Sequence, residues 1–367
     1  MTRKNRFLLG LIALVLPVVL TAQNPQGESG SLQHQINGLQ EKVDRMPKIS
    51  GFAQVLFEQP FENGKAVDNT FRMRRVRLSV DGKLTQRLKY KIQGDFVNSP
   101  MLVDAYLKYA ICPEFALQIG QFKTPFTLES PINPLNLEIF DYGDAVRGLV
   151  GYKDVCGVGK LGRDIGIMAT GTLFSVEDKG FGIVDYSLGI FNGNGINIVD
   201  NNMGKDFAGR IEIHPMLKAL TLTGSLYYGN YFVSDLQKGA RNRYSFGMQY
   251  NDDRFLVRSE YLSGKTGRMK EENPFVPNDF FSKGYYAVAG YWFQFGKKER
   301  QQRLMPVLRF ESFEKDTHQV GSNVYTVGLN YWPVKSLNFK LDYSLIQAPK
   351  QADNEKHRIV AILSYKF

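Results

Sequence analysis

Short stretches in which apolar and polar residues alternate one by one fill the chain from Ile49 to its C-terminal residue, Phe367. In segment 88–96, leucine, tyrosine, isoleucine, glycine and phenylalanine alternate with two lysines, a glutamine and an aspartate. Segment 337–345 repeats the pattern, with a lysine and an aspartate on its polar face. Alternation with period two is typical of a β-strand that has one apolar and one polar face. About sixteen such segments can be placed along the chain, and they predict an all-β fold.

The connections between these segments alternate between short and long. The predicted turn at 251–253 is short, whereas the connection at 123–163 is about forty residues long. Bacterial outer-membrane barrels have short periplasmic turns and longer outer loops. A soluble β-sandwich is the alternative, but nothing in that architecture requires the asymmetry. The sequence therefore predicts a transmembrane antiparallel β-barrel over residues 49–367, surrounded by outer-membrane lipid.

Residues 1–22 have the composition of a secretory signal peptide. Arg3, Lys4 and Arg6 precede an apolar run at 7–20, and a small residue follows at the expected cleavage point. A retained membrane anchor is the alternative, but the run is shorter than the roughly 20 residues that a spanning helix needs. We therefore expect the segment to be removed and the mature chain to reach the outer membrane of a Gram-negative bacterium.

A linker and a short periplasmic helix are predicted within residues 23–48. The linker at 23–31 is polar; apolar residues then recur with spacings of four and three from Leu32 to Met46, and Pro47 ends the pattern. This spacing is a heptad repeat, although about two heptads are too few for a stable isolated coil. Chains held together by a larger assembly would make the coil stable, so the heptads predict self-association. A single amphipathic helix is the alternative.

Several further motifs resemble those of a known family. The chain ends on an aromatic residue in a strand pattern, which resembles the assembly signal of outer-membrane proteins. Five internal motifs are FRMRRVRL at 71–78, GQFKTPF at 120–126, GRDIG at 162–166, IFNGNG at 190–195 and RSEYL at 258–262. They resemble those of the phosphate-selective porin O/P family, and the resemblance covers about 49–367.

The resemblance implies a trimer of barrels, each of about sixteen strands, in which the third outer loop folds inward. It also implies passage of phosphate or polyphosphate, attracted by lysine and arginine along the channel. The chain is basic independently of the resemblance: its formal net charge of +10 falls by three, to +7, when the cations of the signal peptide are removed. Because export makes nucleic acid an unexpected partner, we expect small anionic solutes. A nonselective general porin is the alternative.

Four basic residues of the predicted strands are candidates for lining the channel. Alternation places Arg75 and Arg77 on the lumen face of their strand, and Lys89 and Lys91 share that face on the next strand. In a water-filled lumen they would concentrate anions. The alternative is that these cations only form ion pairs across the lumen with Asp95, Asp104 and Glu212.

The long connection at 123–163 is the candidate for narrowing the pore. A sixteen-stranded barrel leaves an aqueous channel unless something narrows it. The connection is too long for an idle loop, and we take Lys123 and Arg147 within it as candidate anion-binding residues. A loosely attached outer loop is the alternative.

Catalysis and adhesion are the other functions considered. The chain has four histidines, none of them in a serine or cysteine motif, and no pair with metal-binding spacing. We therefore expect no catalytic site, metal or cofactor. An adhesin would fit the composition but would not explain the long connection. Cys112 and Cys156 are predicted to lie at different heights of the barrel, too far apart for a disulfide.

Overall fold

The computed structural model describes the barrel-forming part of the chain. The predicted signal peptide, and the predicted heptad helix up to Arg45, lie outside the described residues. No helix among the described residues is both long enough and apolar enough to cross a bilayer. The described ranges are 46–97, 101–159, 161–176, 181–201, 203–215, 217–234, 237–268, 279–297, 301–317, 321–348 and 355–367.

Within these ranges, sixteen long strands form one antiparallel sheet in which each strand pairs with the next along the chain. The first and last strands also pair, from Phe52 opposite Lys366 to Glu62 opposite Lys356, and this closes the barrel. The predicted fold class is therefore confirmed. The strands are Lys48–Glu62 (β1), Thr70–Lys83 (β2), Leu88–Asp95 (β3), Met101–Cys112 (β4), Phe115–Lys123 (β5), Arg163–Val176 (β6), Phe181–Phe191 (β7), Asp206–Ile213 (β8), Leu220–Tyr228 (β9), Gln237–Asn251 (β10), Phe255–Thr266 (β11), Phe280–Tyr291 (β12), Gln302–Glu314 (β13), Ser322–Val334 (β14), Leu337–Gln347 (β15) and Lys356–Lys366 (β16).

Shorter elements extend the wall or lie in the loops. The short strand Lys65–Ala66 folds back onto the end of β1. The strand Asn230–Ser234 pairs with β10, and Phe293–Phe295 pairs with β13. One short helix, Asp144–Leu149 (α1), lies in the connection between β5 and β6. The barrel wall is thus continuous, and the irregular chain is confined to its two ends and its interior.

The wall has the two faces that the sequence pattern predicts. On β15, Leu341 is 53 % exposed on the outer face, whereas the neighbouring Lys340 and Asp342 are almost completely buried. Outward-facing apolar side chains of this kind suit the hydrocarbon of the bilayer, and inward-facing polar ones suit a wet interior. The alternation therefore sorts the charges into the barrel.

A β-bulge in β2 turns an additional arginine inward. In the pairing of β1 with β2, Gln54 lies opposite Arg75 and Val55 lies opposite Met73, which leaves Arg74 as the extra residue. The Arg74 side chain is only 7 % exposed and points into the barrel. Strict alternation from Arg75 would have placed it against lipid, at a cost of about 2–4 kcal/mol near the bilayer midplane. The bulge thus keeps two consecutive arginines in the lumen.

Both cysteines are free thiols, as predicted. Cys112 is exposed where β4 ends at a short turn. Cys156 lies in the long connection, where its Sγ is 2.8 Å from Oδ1 of Asp154.

The barrel closes at a glycine that lies against the chain terminus. Gly51 exchanges two backbone hydrogen bonds with Phe367, at 2.9 and 3.0 Å. A Cβ atom at position 51 would lie 2.6 Å from the Phe367 ring and 2.8 Å from the carbonyl oxygen of Arg77. The ring could move, but the carbonyl belongs to the paired strand. Only a residue without a side chain fits this position without displacing the seam.

We expect Gly51→Val to lower the stability of the barrel by about 1–3 kcal/mol, because it overpacks the seam between β1 and β16. The measurement is the temperature at which the folded species disappears in heat-modifiability gels. Gly224→Val is the matched control, since a Cβ there would meet only the Phe246 ring at 3.9 Å. Equal losses in both variants would contradict the role of the seam.

Candidate functional site

The connection between β5 and β6, residues 124–162, folds into the barrel and is called the third loop below. Its apolar side chains, including Phe126, Leu137 and Leu149, are fully buried. They join one cluster with wall residues such as Tyr286 and Val307. The loop is therefore packed across the lumen, and the alternative of a loosely attached outer loop is wrong.

Two buried glutamates fix the loop to the opposite wall. Glu129 accepts hydrogen bonds from Arg309 of β13 and lies 3.5 Å from Arg258 of β11. Glu138 pairs with the same Arg258. The backbone N–H of Gly143 donates to Glu129 at 3.0 Å. Each carboxylate is matched by a guanidinium on the wall, which is what buried charges require.

Further contacts secure the loop at other points around the wall. Arg243 of β10 forms a bidentate ion pair with Asp154, at 2.5 and 2.6 Å. Lys340 of β15 donates to the carbonyl oxygen of Leu137. Asn330 of β14 donates to the carbonyl oxygen of Glu138 at 2.7 Å. The loop is thus held from several strands.

Lys123 lies at the base of the loop and binds neutral groups. Its Nζ donates to the carbonyl oxygens of Ser130 and Ile132 and to the hydroxyl of Tyr142. Among the described residues, no carboxylate lies within 4 Å of this ammonium. Lys123 therefore shapes the turn of the loop through neutral acceptors.

A cluster of three arginines surrounds Asp141 of the loop. Arg74 lies 2.8 Å and Arg75 lies 3.4 Å from its Oδ1, and Arg147 of α1 lies 3.7 Å from its Oδ2. Burial alone would raise the pKa of Asp141, but the three arginines lower it below its ordinary value. The Phe140 ring lies under Arg74 at 5.4 Å and under Arg358 at 4.3 Å.

A cavity of about 280 Å³ separates the loop segment 131–134 from the wall formed by β1 to β6. Four basic side chains and one carboxylate line it. Arg77 is 2.8 Å from Asp95, and Arg163 is 2.7 Å from Asp104, the lining carboxylate. The charged lining residues are Arg77, Lys91, Lys123, Arg163 and Asp104.

A row of three lysines lies next to this cavity, toward the short-turn end of the barrel. Lys89 of β3 lies directly opposite Lys83 of β2 on one side and Lys108 of β4 on the other. Like charges directly opposite one another on a sheet are destabilising. Among the described residues, no carboxylate lies within 4 Å of any of the three. The row therefore exposes uncompensated positive charge to the channel.

The structure divides the six candidate residues among three places. Arg77, Lys91 and Lys123 line the same cavity, with Lys91 also 3.8 Å from Asp81. Arg75 and Arg147 both contact Asp141, and Arg147 also lines a second cavity of about 530 Å³ with Lys153 and Lys315. Lys89 belongs to the lysine row.

Sequence reasoning missed the wall arginines that hold the loop, although each lies at an inward position of a predicted strand. It also missed Arg74, because alternation does not reveal a bulge, and it did not single out the partners of Lys89. Among the described residues, no group of three or more histidine, cysteine, aspartate or glutamate side chains is arranged to hold a metal ion. The structure brings together arginines and lysines, many of them paired with carboxylates.

A closed barrel with a polar interior and an inward-folded loop is the architecture of a porin-type channel. The chain belongs to the phosphate-selective porin O and P family, whose sequence profile matches residues 51–253. The family confirms the resemblance seen in the motifs. It also confirms the predicted function, an outer-membrane porin for small anions such as phosphate, and the predicted location in the outer membrane of a Gram-negative bacterium.

Solved structures share this fold at low sequence identity. An anion-selective porin from Comamonas acidovorans is 12% identical, with a TM-score of 0.62 over 88% of this chain and 99% of that one. OmpF of Salmonella typhi is 10% identical, with a TM-score of 0.62 over 89% and 99%. The outer-membrane channel DcaP of Acinetobacter baumannii is 12% identical, with a TM-score of 0.59 over 88% and 97%. No curated protein sequence matches the chain.

We expect Glu129→Gln to loosen the third loop and to give a larger, noisier single-channel conductance. The substitution removes the carboxylate that Arg309 and Arg258 share, leaving Arg309 with Glu311 and Arg258 with Glu138. Removing one partner of a buried ion pair costs up to about 3–5 kcal/mol. Glu62→Gln is the control, because Glu62 pairs with Lys356 on the exposed surface. An unchanged conductance in Glu129→Gln would show that this pair does not hold the loop.

Proposed function

We propose that this porin prefers anions over cations, and that its preference is set by the lysine row and the adjoining cavity. The lysine row carries the proposal, because Lys83, Lys89 and Lys108 stand side by side without a carboxylate partner among the described residues. Within a low-dielectric wall such a row raises the local anion concentration. Arg77, Lys91 and Lys123 extend the positive potential into the cavity.

A nonselective porin is the second candidate, and a specific observation favours it. Many of the lumen cations are already paired, including Arg77 with Asp95 and Arg163 with Asp104. Paired charges contribute little net field at a distance. The two candidates therefore differ in whether the few unpaired cations dominate the field along the path of the solute.

We expect a planar-bilayer reversal potential in a salt gradient to show anion preference, and the preference to increase as the salt concentration falls. Replacing Lys83, Lys89 and Lys108 together by glutamine should remove much of it. Replacing Lys218, Arg254 and Lys335 removes the same charge from exposed turns and should have little effect. Equal effects of the two triple variants would point to net charge and against the row.

We further propose that three copies of the chain assemble, with the predicted helix at 32–46 as part of the contact. The heptad spacing supports this proposal, together with a related fold from Vibrio cholerae, OmpT, that is described as a trimer. Self-association of short heptads becomes favourable when the barrels already hold the chains close together.

Deletion of 32–46 should lower the fraction of trimer in mild detergent without unfolding the barrel. The fraction is measured by light scattering, and the folded barrel is verified by its heat-modifiable migration. A full-length protein that runs as a clean monomer would contradict the proposed assembly.

A further inference from the structure

The arginine cluster around Asp141 has the chemistry of an oxyanion site. The guanidinium groups of Arg74, Arg75 and Arg147 converge on one carboxylate, with their nitrogens 2.8 to 3.7 Å from its oxygens. Guanidinium forks match carboxylate and phosphate oxygens in the same way. The carboxylate that fills this position belongs to the protein itself.

The cluster has donors that Asp141 does not use. The Arg74 side chain is 93 % buried, since its exposure is 7 %. Its Nη2 lies 2.8 Å from Oδ1 of Asp141 but is not aligned for a hydrogen bond, and its Nη1 has no hydrogen-bond partner among the described residues. Buried guanidinium donors of this kind are normally satisfied. An anion with more oxygens than a carboxylate would bring acceptors to them.

The cluster is also reachable from the loop end of the barrel. Arg147 contacts Asp141 and at the same time lines the 530 Å³ cavity, which it shares with Lys153 and Lys315. Ser322, at the start of β14, is on the lining of the same cavity. Asp144, which is 3.8 Å from Arg147, also lines this cavity, so a solute anion that enters it meets Arg147 beside one carboxylate.

Asp141 lies apart from the other charged contacts of the third loop. Elsewhere the loop is held by Glu129 on Arg309, by Glu138 on Arg258 and by Asp154 on Arg243. These pairs lie on the wall from β10 to β13, whereas Asp141 pairs with Arg74 and Arg75 of β2. The arginines around Asp141 are therefore separate from those that hold the rest of the loop.

We propose that the Asp141 carboxylate is a tethered competitor, which occupies an oxyanion site formed by Arg74, Arg75 and Arg147 and so sets how tightly a passing anion is held. This inference rests on the proposed anion preference. A tethered group acts at an effective concentration in the millimolar range, so a solute anion must displace it. Conduction requires binding weak enough for release. By weakening the binding of a solute anion, the competitor allows the anion to leave the site and pass through the channel.

The test is the block of chloride current by inorganic phosphate in planar bilayers, in wild type and in Asp141→Asn. The amide keeps the shape of the side chain but removes its charge. We expect the half-blocking phosphate concentration to fall about tenfold, because each factor of ten corresponds to about 1.4 kcal/mol. Asp141→Glu keeps the competitor and should stay near wild type. Asp68→Asn makes the same charge change in the exposed first loop and should also stay near wild type.

A double variant tests whether the stronger phosphate block depends on the arginines. Adding Arg75→Gln to Asp141→Asn should abolish the gain in phosphate block. If phosphate blocks the current of Asp141→Asn at the same concentration as that of the wild type, while both proteins stay anion-selective, the competitor is refuted and the proposed function stands. A larger conductance without stronger phosphate block would also refute the competitor, since Asp141 would then act by holding the third loop in place. If the wild type shows no anion preference, both proposals fail together.

Discussion

The bilayer interior offers no water to the backbone, so every strand edge in it must be paired. This chain meets the constraint by closing sixteen described strands on themselves, with β1 paired to β16 from Phe52 to Glu62 and to β2 from Lys48 to Glu58. The closing pair extends to the C-terminal residue, where Phe367 and Gly51 exchange hydrogen bonds. Closure fixes the circumference of the barrel, and the circumference fixes how much space the third loop must fill.

That space is filled by a loop whose charges match the wall. A buried ion pair is weak evidence of stability, because the desolvation of both charges offsets most of their attraction. Removing one partner is nevertheless costly, so pairs such as Glu129 with Arg309 fix where the loop lies. Arg258 lies between Glu129 and Glu138 and couples two parts of the loop to one strand. The pairs therefore determine which part of the wall each segment of the loop contacts.

The sequence predicted the barrel well because alternation is a local signal. The same sheet is predicted by the period-two pattern, by the short and long connections and by the family motifs. The alternation alone placed Arg77 and Lys91 on the inner face. The bulge at Arg74 could not be predicted, since one inserted residue leaves no mark in a run of three basic residues out of four.

The loop contacts could not be predicted for a different reason. Glu129 and Arg309 are 180 positions apart, and Glu138 and Arg258 are 120 apart. Several wall arginines have the same inward parity, so the sequence does not say which of them meets which loop carboxylate. The choice depends on the height and angle at which the loop crosses the closed barrel. Those quantities come from the shear and circumference of the barrel, not from any local pattern.

The lumen therefore contains two kinds of cation with different effects on a solute. Paired cations such as Arg243 and Arg309 are compensated within a few ångströms, and their field falls off quickly. Cations without an acidic partner within 4 Å among the described residues, such as those of the lysine row, act over the Debye length of about 8 Å at physiological salt. Under the proposed anion preference, selectivity depends on such residues more than on the net charge of the chain.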